Sequence, residues 1–293
     1  MIWFRFLTGL GLIALALSHS GRWLALGDSL AVGRLHLLLA GLIVAIALHV
    51  LEERVLFRLV LLAVLLSGAQ TAWLWRGPAT GEPGDFTLYQ KNLLFLNSKH
   101  PELIADIRAS FAEVVTLQEV AERNFPILEG LKDIYPHQHY CPFAGVGGVA
   151  ILSQVPFVGG TPSCGDKDGL ALAQIVVAGT GPVWIASLHL HWPWPYGQRA
   201  HLLRILPRLE ALDGPVVLGG DFNMQGWGAS VAAVADAIMA NRLGGYGATF
   251  SRFATFAPLI IDQVLIPSEA SGQVVRRPLL GSDHMGLLAD IRL

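Results

Sequence analysis

Asp221 and Asn223 stand at the end of an apolar, β-branched run, residues 216–218, from which Gly219 and Gly220 separate them. The run reads as a buried strand. Two positions apart in extended geometry, the two polar side chains lean into one crevice. That edge of an α/β sheet is where such folds hold ligands, although Asp and Asn are also ordinary turn formers. Asn92 lies close to the end of the run 86–94, and Glu119 closes the run 112–119 in a similar way. Glu119 taken alone reads better as the cap of a helix over 121–130 or as a surface residue. His189 and His191 lie two apart at the end of the run 183–189. No Cys/His set at zinc-finger spacing accompanies them, so one reactive histidine beside one loop histidine is the reading. Asp262 interrupts the apolar run 259–266, where a carboxylate is costly to bury without a partner or a metal. Asp283 and His284 are adjacent, just before the run 287–292.

The elements that must carry these side chains follow from periodicity. Strands are expected over 86–94, 112–119, 145–153, 170–177, 183–189, 216–218, 259–266 and 287–292, and helices over 101–108, 121–130, 198–212 and 229–240. In the helix over 198–212, Leu202, Leu203, Leu206 and Leu209 form the apolar face. The Trp192-Pro-Trp-Pro195 stretch makes a rigid aromatic loop beside His189 and His191. It could line a cleft, cap the domain or rest on a membrane interface.

The chain of 293 residues is 53% hydrophobic and 14% charged, against about 25% charged for an ordinary soluble domain. The excess is N-terminal. Apolar segments cover about 3–18, 32–50 and 55–75. Their uncharged runs are slightly shorter than the ~20 residues of a spanning helix, but Arg5, Arg34 and Arg58 sit where they could snorkel. Trp3, Trp23, Trp73 and Trp75 fall at interfacial positions. The expectation is a three-helix membrane anchor over 1–76, the alternative being a signal peptide and two core helices. The segments show no mid-span acid and no broken-helix signal of the kind transporters use. Arg22 and Arg34 balance Arg54 and Arg58, so the positive-inside rule is nearly silent. With the amino terminus inside, three crossings put the C-terminal domain outside. Cys141 and Cys164 suit a disulfide there, or stand as two separate thiols.

Residues 77–85 form a Gly/Pro-rich linker, and 86–293 is long enough for one globular domain. Residues 77–293 hold fourteen basic and nineteen acidic side chains, a net of −5, with no basic stripe to follow a phosphate backbone. Tight, processive nucleic-acid binding is not supported on that ground.

Six stretches, in order, resemble the endonuclease/exonuclease/phosphatase superfamily: Gln90-Lys-Asn92, Leu117-Gln-Glu119, Ser187-Leu-His189, Gly219-Gly-Asp-Phe-Asn223, Ile261-Asp262 and Gly281-Ser-Asp-His284. The resemblance implies an α/β fold of the four-layer α/β/β/α kind, with two packed mixed sheets, and a metal-dependent phosphoesterase acting on a nucleic-acid or lipid-headgroup phosphodiester. It implies Glu119 as the main ligand of Mg²⁺ or Mn²⁺, with Asn92 and Asp283 nearby, since hard cations prefer oxygen ligands. It implies His284 as general base oriented by Asp262, and His189 at the phosphate or leaving group. Asp221 and Asn223 would position the nucleophile and the transition-state oxygens. Gln263 stands where the family usually carries His or Tyr. A membrane-tethered scaffold that retains the fold without activity is the competing class. Against it stands the complete set of reactive residue types.

Overall fold

The structure is a computed structural model, and it describes residues 1–77, 84, 86–252 and 258–293. Apart from Gly77 and Gly84, the expected linker lies outside the described residues. The chain begins with four helices, α1 (Ile2–Leu17), α2 (Ala25–Val32), α3 (Arg34–Val50) and α4 (Arg54–Arg76). Twelve strands and four further helices follow. The strands are β1 (Phe86–Asn92), β2 (Val114–Val120), β3 (His137–Ala144), β4 (Gly147–Ser153), β5 (Ser163–Cys164), β6 (Leu170–Val177), β7 (Gly181–His189), β8 (Val216–Asp221), β9 (Ala240–Arg242), β10 (Asp262–Pro267), β11 (Ser271–Arg277) and β12 (Gly286–Arg292). The helices are α5 (His100–Ser110), α6 (Phe125–Glu129), α7 (Gln198–Glu210) and α8 (Ala229–Ala237).

The strands form two six-stranded mixed sheets, ordered β11-β12-β1-β2-β4-β3 and β5-β6-β7-β8-β10-β9. Each has one parallel pair at its centre, β1 with β2 and β7 with β8, flanked by antiparallel neighbours. Three apolar clusters fill the three spaces between four layers. Leu88, Val114, Ile151, Ile185, Val217 and Val264 pack between the sheets. Tyr89, Val115 and Leu117 face Leu103, Ile107 and Ile127 of α5 and α6. Leu188, Val216 and Leu218 face Ile205, Leu209, Val231 and Val234 of α7 and α8. Central strands therefore bury side chains on both faces, which is why they read as continuous apolar runs.

Some expected elements differ. The helix over 121–130 is a 3₁₀ turn at Glu122–Asn124 followed by the short α6, with Pro126 near its start. Asp262 does not interrupt a strand but begins β10, because residues 259–261 run instead as isolated bridges and side-chain-capped loop. The unanticipated strands are β3, β5, β9 and β11, which are the four sheet edges.

The N-terminal region also departs from three unbroken segments. The second, 32–50, is essentially α3, and an unanticipated short helix, α2, precedes it at an angle of 68° across Gly33. Among the described residues only α4 is by itself long and apolar enough to cross a membrane. Arg34 keeps its guanidinium inside the protein instead of extending it outward as a snorkelling side chain would. It is buried and donates to the Ser18 hydroxyl (3.1 Å) and the Ser18 carbonyl in the turn after α1.

Cys141 of β3 and Cys164 of β5 are disulfide-bonded, joining the edge of one sheet to the edge of the other. Cross-linking positions 23 residues apart stabilises by about 3 kcal/mol, chiefly through the unfolded chain. The Cys141→Ala/Cys164→Ala double variant should melt roughly 5–10 °C lower by calorimetry. An unchanged melting temperature would show that the sheet edges hold without the bond.

Candidate active site

The two parallel pairs explain where the polar residues meet. Parallel neighbours end on the same side, so β1, β2, β7 and β8 bring Asn92, Glu119, His189 and Asp221 to one edge of the sandwich. The antiparallel neighbours start there: Asp262, first residue of β10, pairs in register with Asp221. His284 lies two residues before β12.

Asn92 donates its amide to Asp221 Oδ2 (2.9 Å) and to Glu119 Oε1 (3.2 Å). The second Glu119 oxygen accepts from the Phe95 backbone N–H (2.9 Å). Asp221 Oδ1 accepts from the Asn223 N–H (2.8 Å), and His189 Nε2 is 3.5 Å from Asp221 Oδ2. His284 Nδ1 meets Asp262 Oδ2 at 2.9 Å, leaving its Nε2 at 3.8 Å from Asp221. Two of these residues sit in left-handed backbone, Glu119 at φ 54° and Asn223 at φ 48°. For Glu119 this coincides with a register shift between β2 and β4. Such conformations cost about 1–3 kcal/mol and persist where surrounding structure enforces them.

Asp283 is set slightly apart, its carboxylate paired with Arg252 at 3.0 Å. The expected oxygen ligand Asn92 turns its amide nitrogen to the two carboxylates, while Oδ1 accepts the Leu94 N–H (2.9 Å). Ligation through oxygen requires that amide to rotate. His191 does not join the cluster. It packs against Phe143 and His201, with ring centroids 5.1 and 4.6 Å away. Gln263, the departure from the family pattern, is structural here: it donates to the Met224 and Ile260 carbonyls and accepts from the Tyr246 hydroxyl.

Burial dominates the electrostatics. It pushes the Asp221 carboxyl up to about 7, against the opposing pull of His284, and it raises Glu119 as well. It pushes His189 down to about 3, which keeps that ring neutral. Burial would also discharge His284, but the Asp262 and Asp221 carboxylates outweigh it and hold the imidazole up at about 9. Burial works against the Asp262 charge too, and there His284 and the bonds from Thr249 and Gln90 prevail, so it lies below its ordinary value. Asp221 and Glu119 are thus carboxylates bridged only by a neutral amide, in a cluster short of positive charge. Asp221, Asp262 and His284 offer ligand atoms within 4.8 Å of one another. The oxygens of Asp221, Glu119 and Asn92 beside it are the donors that fit a hard divalent cation, and added positive charge would compete with the proton on His284.

Sequence reading passed over the groups behind this cluster. Gln90 donates to Asp262 Oδ1 (3.0 Å) and to Gln118 (2.8 Å), whose amide donates in turn to Ser187 (3.0 Å). Lys91 is fully buried, and its ammonium donates to the carbonyls of Pro278 (2.9 Å), Leu279 (2.9 Å) and His284 (2.6 Å). It therefore ties down the loop that carries Asp283 and His284. Its position between Gln90 and Asn92 was the only available signal, since a lysine in a strand usually points to solvent. Lys91→Met leaves those carbonyls without donors and should destabilise the fold by about 2–4 kcal/mol, measured by urea unfolding. A change under about 0.5 kcal/mol, typical of surface positions, would mean the loop is held by other contacts.

The profile of the Endonuclease/Exonuclease/phosphatase family matches residues 90–284, from the first of these strands to His284. The chain belongs to that family, whose members are phosphoesterase hydrolases. Among solved structures, D. rerio TDP2 complexed with single strand DNA product is 17% identical, with a TM-score of 0.56 over 71% of this chain and 99% of that one. Sphingomyelinase C from Streptomyces griseocarneus is 18% identical, with a TM-score of 0.52 over 70% and 98%. The beta toxin from Staphylococcus aureus with bound magnesium ions is 15% identical, with a TM-score of 0.53 over 70% and 99%. At such identities the likeness shows the shared fold. No curated protein matches the chain.

Proposed function

We propose that the protein is a membrane-anchored, divalent-metal-dependent phosphoesterase that hydrolyses a phosphodiester. The observation that carries this is the Asp262–His284 pair facing Asp221 across 3.8 Å, with the Asn92 amide donating to the same Asp221 oxygen and to Glu119. Glu119 and Asp221, with Asn92 and Asp283 alongside, are the residues to hold Mg²⁺ or Mn²⁺. When bound, the cation supplies charge for the phosphoryl oxygens. Asp262 fixes the proton on His284 Nδ1, so Nε2 is the atom that takes a proton from the attacking water. The neutral His189 and the Asn223 amide are placed to donate to phosphoryl or leaving-group oxygens. The magnesium in the beta toxin supports the choice of metal.

The anchor rests on α4 and on the outward-facing apolar side chains of α1, α3 and α4, among them Phe6, Leu10, Leu39, Ile43, Leu62 and Leu66, which suit lipid. The domain-side ends of these helices are marked by contacts of Arg34 with Ser18 and of Trp75 with Tyr246, and the far side by Arg5–Glu53. The disulfide favours an extracytoplasmic domain. The net charge of −5 beyond Arg76 weighs towards a lipid headgroup over a polynucleotide.

The test uses the full chain in detergent micelles, with EDTA, Mg²⁺ or Mn²⁺. Its substrates are bis(p-nitrophenyl) phosphate, single-stranded DNA and phospholipid vesicles. Metal-dependent turnover that Asp221→Ala abolishes is expected. A folded chain that hydrolyses none of them and binds no Mg²⁺ would favour the scaffold.

A further inference from the structure

Helix α8 starts without a side-chain cap of its own and without an acid in its first turn. Its free N–H groups are satisfied from outside the sandwich. Asp28 of α2, which is 9% exposed, accepts from Ala229 N–H through Oδ1 (2.8 Å) and from Ser230 N–H through Oδ2 (3.1 Å). This is N-capping supplied by a residue some two hundred positions earlier. A methyl group on Gly21 would stand 2.2 Å from the Asp28 carboxylate, and one on Gly27 would stand 2.5 Å from Gly21 N. The backbone around α2 is therefore closed tightly over that carboxylate.

Other contacts of α2 reach the same region. Ser29 donates to the Trp194 carbonyl (2.6 Å), and the Trp227 indole donates to the Ala31 carbonyl (2.8 Å). Val32, like Trp192, packs against the cluster of Phe250, Leu259 and Ile261. Phe250 is edge-on to the His284 ring, with centroids 4.9 Å apart. The segment from Phe222 to Gly228, which carries Asn223, is held at its far end by Asp28. The loop after His189 is held by Ser29, and the ring against His284 by Val32. Three walls of the reactive cluster lean on one eight-residue helix that belongs, in sequence, to the anchor.

We infer that α2 is a positioning element of the active site, with Asp28 as its principal positioning residue, so that the N-terminal region builds the site as well as tethering it. This rests on the phosphoesterase reading above. The unit required for turnover then includes residues 21–32, and a domain cut at residue 77 lacks part of its own wall. A displacement of about 1 Å at such a site costs up to about a hundredfold in rate.

The experiment measures hydrolysis of bis(p-nitrophenyl) phosphate by the full chain in micelles, with melting temperature followed in parallel. Asp28→Ala is expected to lower kcat at least about tenfold with KM within about twofold. Asp28→Asn, which keeps one acceptor oxygen but sets an NH₂ against the second N–H, should give a rate between those of Asp28→Ala and the wild type. Val32→Ala, which leaves the cap intact, should lower kcat several-fold at an unchanged melting temperature. Arg22→Ala, which breaks only the exposed pair with Asp236, should match the wild type. Wild-type rates in both Asp28→Ala and Val32→Ala would overturn the inference, as would losses that follow only the unfolded fraction. A wild-type chain without metal-dependent turnover would instead overturn the phosphoesterase reading.

Discussion

The Asp262→Asn variant is expected to lose about three to four orders of magnitude in kcat while remaining folded. Asp262 is fully buried and spends both oxygens: Oδ1 accepts from Gln90 and Oδ2 from His284. An asparagine that keeps its oxygen toward the Gln90 donor must turn its NH₂ toward His284 Nδ1. That nitrogen then has to accept, the ring proton moves to Nε2, and the face toward Asp221 can no longer take a proton from water. Single-turnover kinetics and the ¹⁵N shifts of the His284 ring would check both halves. A variant at wild-type rate would remove the Asp262–His284 pair from the chemistry.

The second large effect is expected at Glu119. Its side chain is half-buried, and each oxygen already accepts one hydrogen bond, from Phe95 N–H and from the Asn92 amide. The remaining lone pairs serve a cation. Glu119→Gln removes the charge and sets an NH₂ donor against one of those donors. We expect Mg²⁺ affinity by titration calorimetry to fall at least about 10–100-fold, the range for weaker, outer-sphere changes, with kcat recovering only in part at saturating metal. EDTA should silence the wild type reversibly. An unchanged Mg²⁺ isotherm in Glu119→Gln would mean that the cation sits elsewhere.

Of the residues expected at the site, Asn92, Glu119, His189, Asp221 and Asp262 meet because each lies at or next to the end of a central strand, and Asn223 and His284 join them from the adjoining loops. Such strands are buried on both faces, so β1, β2, β4, β6, β7, β8 and β12 announce themselves as apolar runs. The edge strands β3, β5, β9 and β11 do not. An edge has one neighbour and an exposed face, so its residues mix polar and apolar as a loop does, as in the Gln273 and Arg276 of β11. Supporting groups were hidden for a different reason. Lys91, Gln90 and Gln118 are polar residues on interior positions, and only the partners they meet from other strands make their burial tolerable.

The order of residue types along the chain determined by itself the family and the two-sheet architecture, and it singled out the side chains proposed here to react. Each of those is encoded locally, in a strand and the polar residue that ends it. Tertiary structure alone decided that Asn92 turns its nitrogen inward, that Cys141 and Cys164 join the two sheets, and that α2 is docked on the sandwich. The last is the clearest case. Asp28 looks like an ordinary acid between apolar segments, and Ala229 and Ser230 like an uncapped helix start. Only folding brings the carboxylate to the two N–H groups that lack a partner of their own.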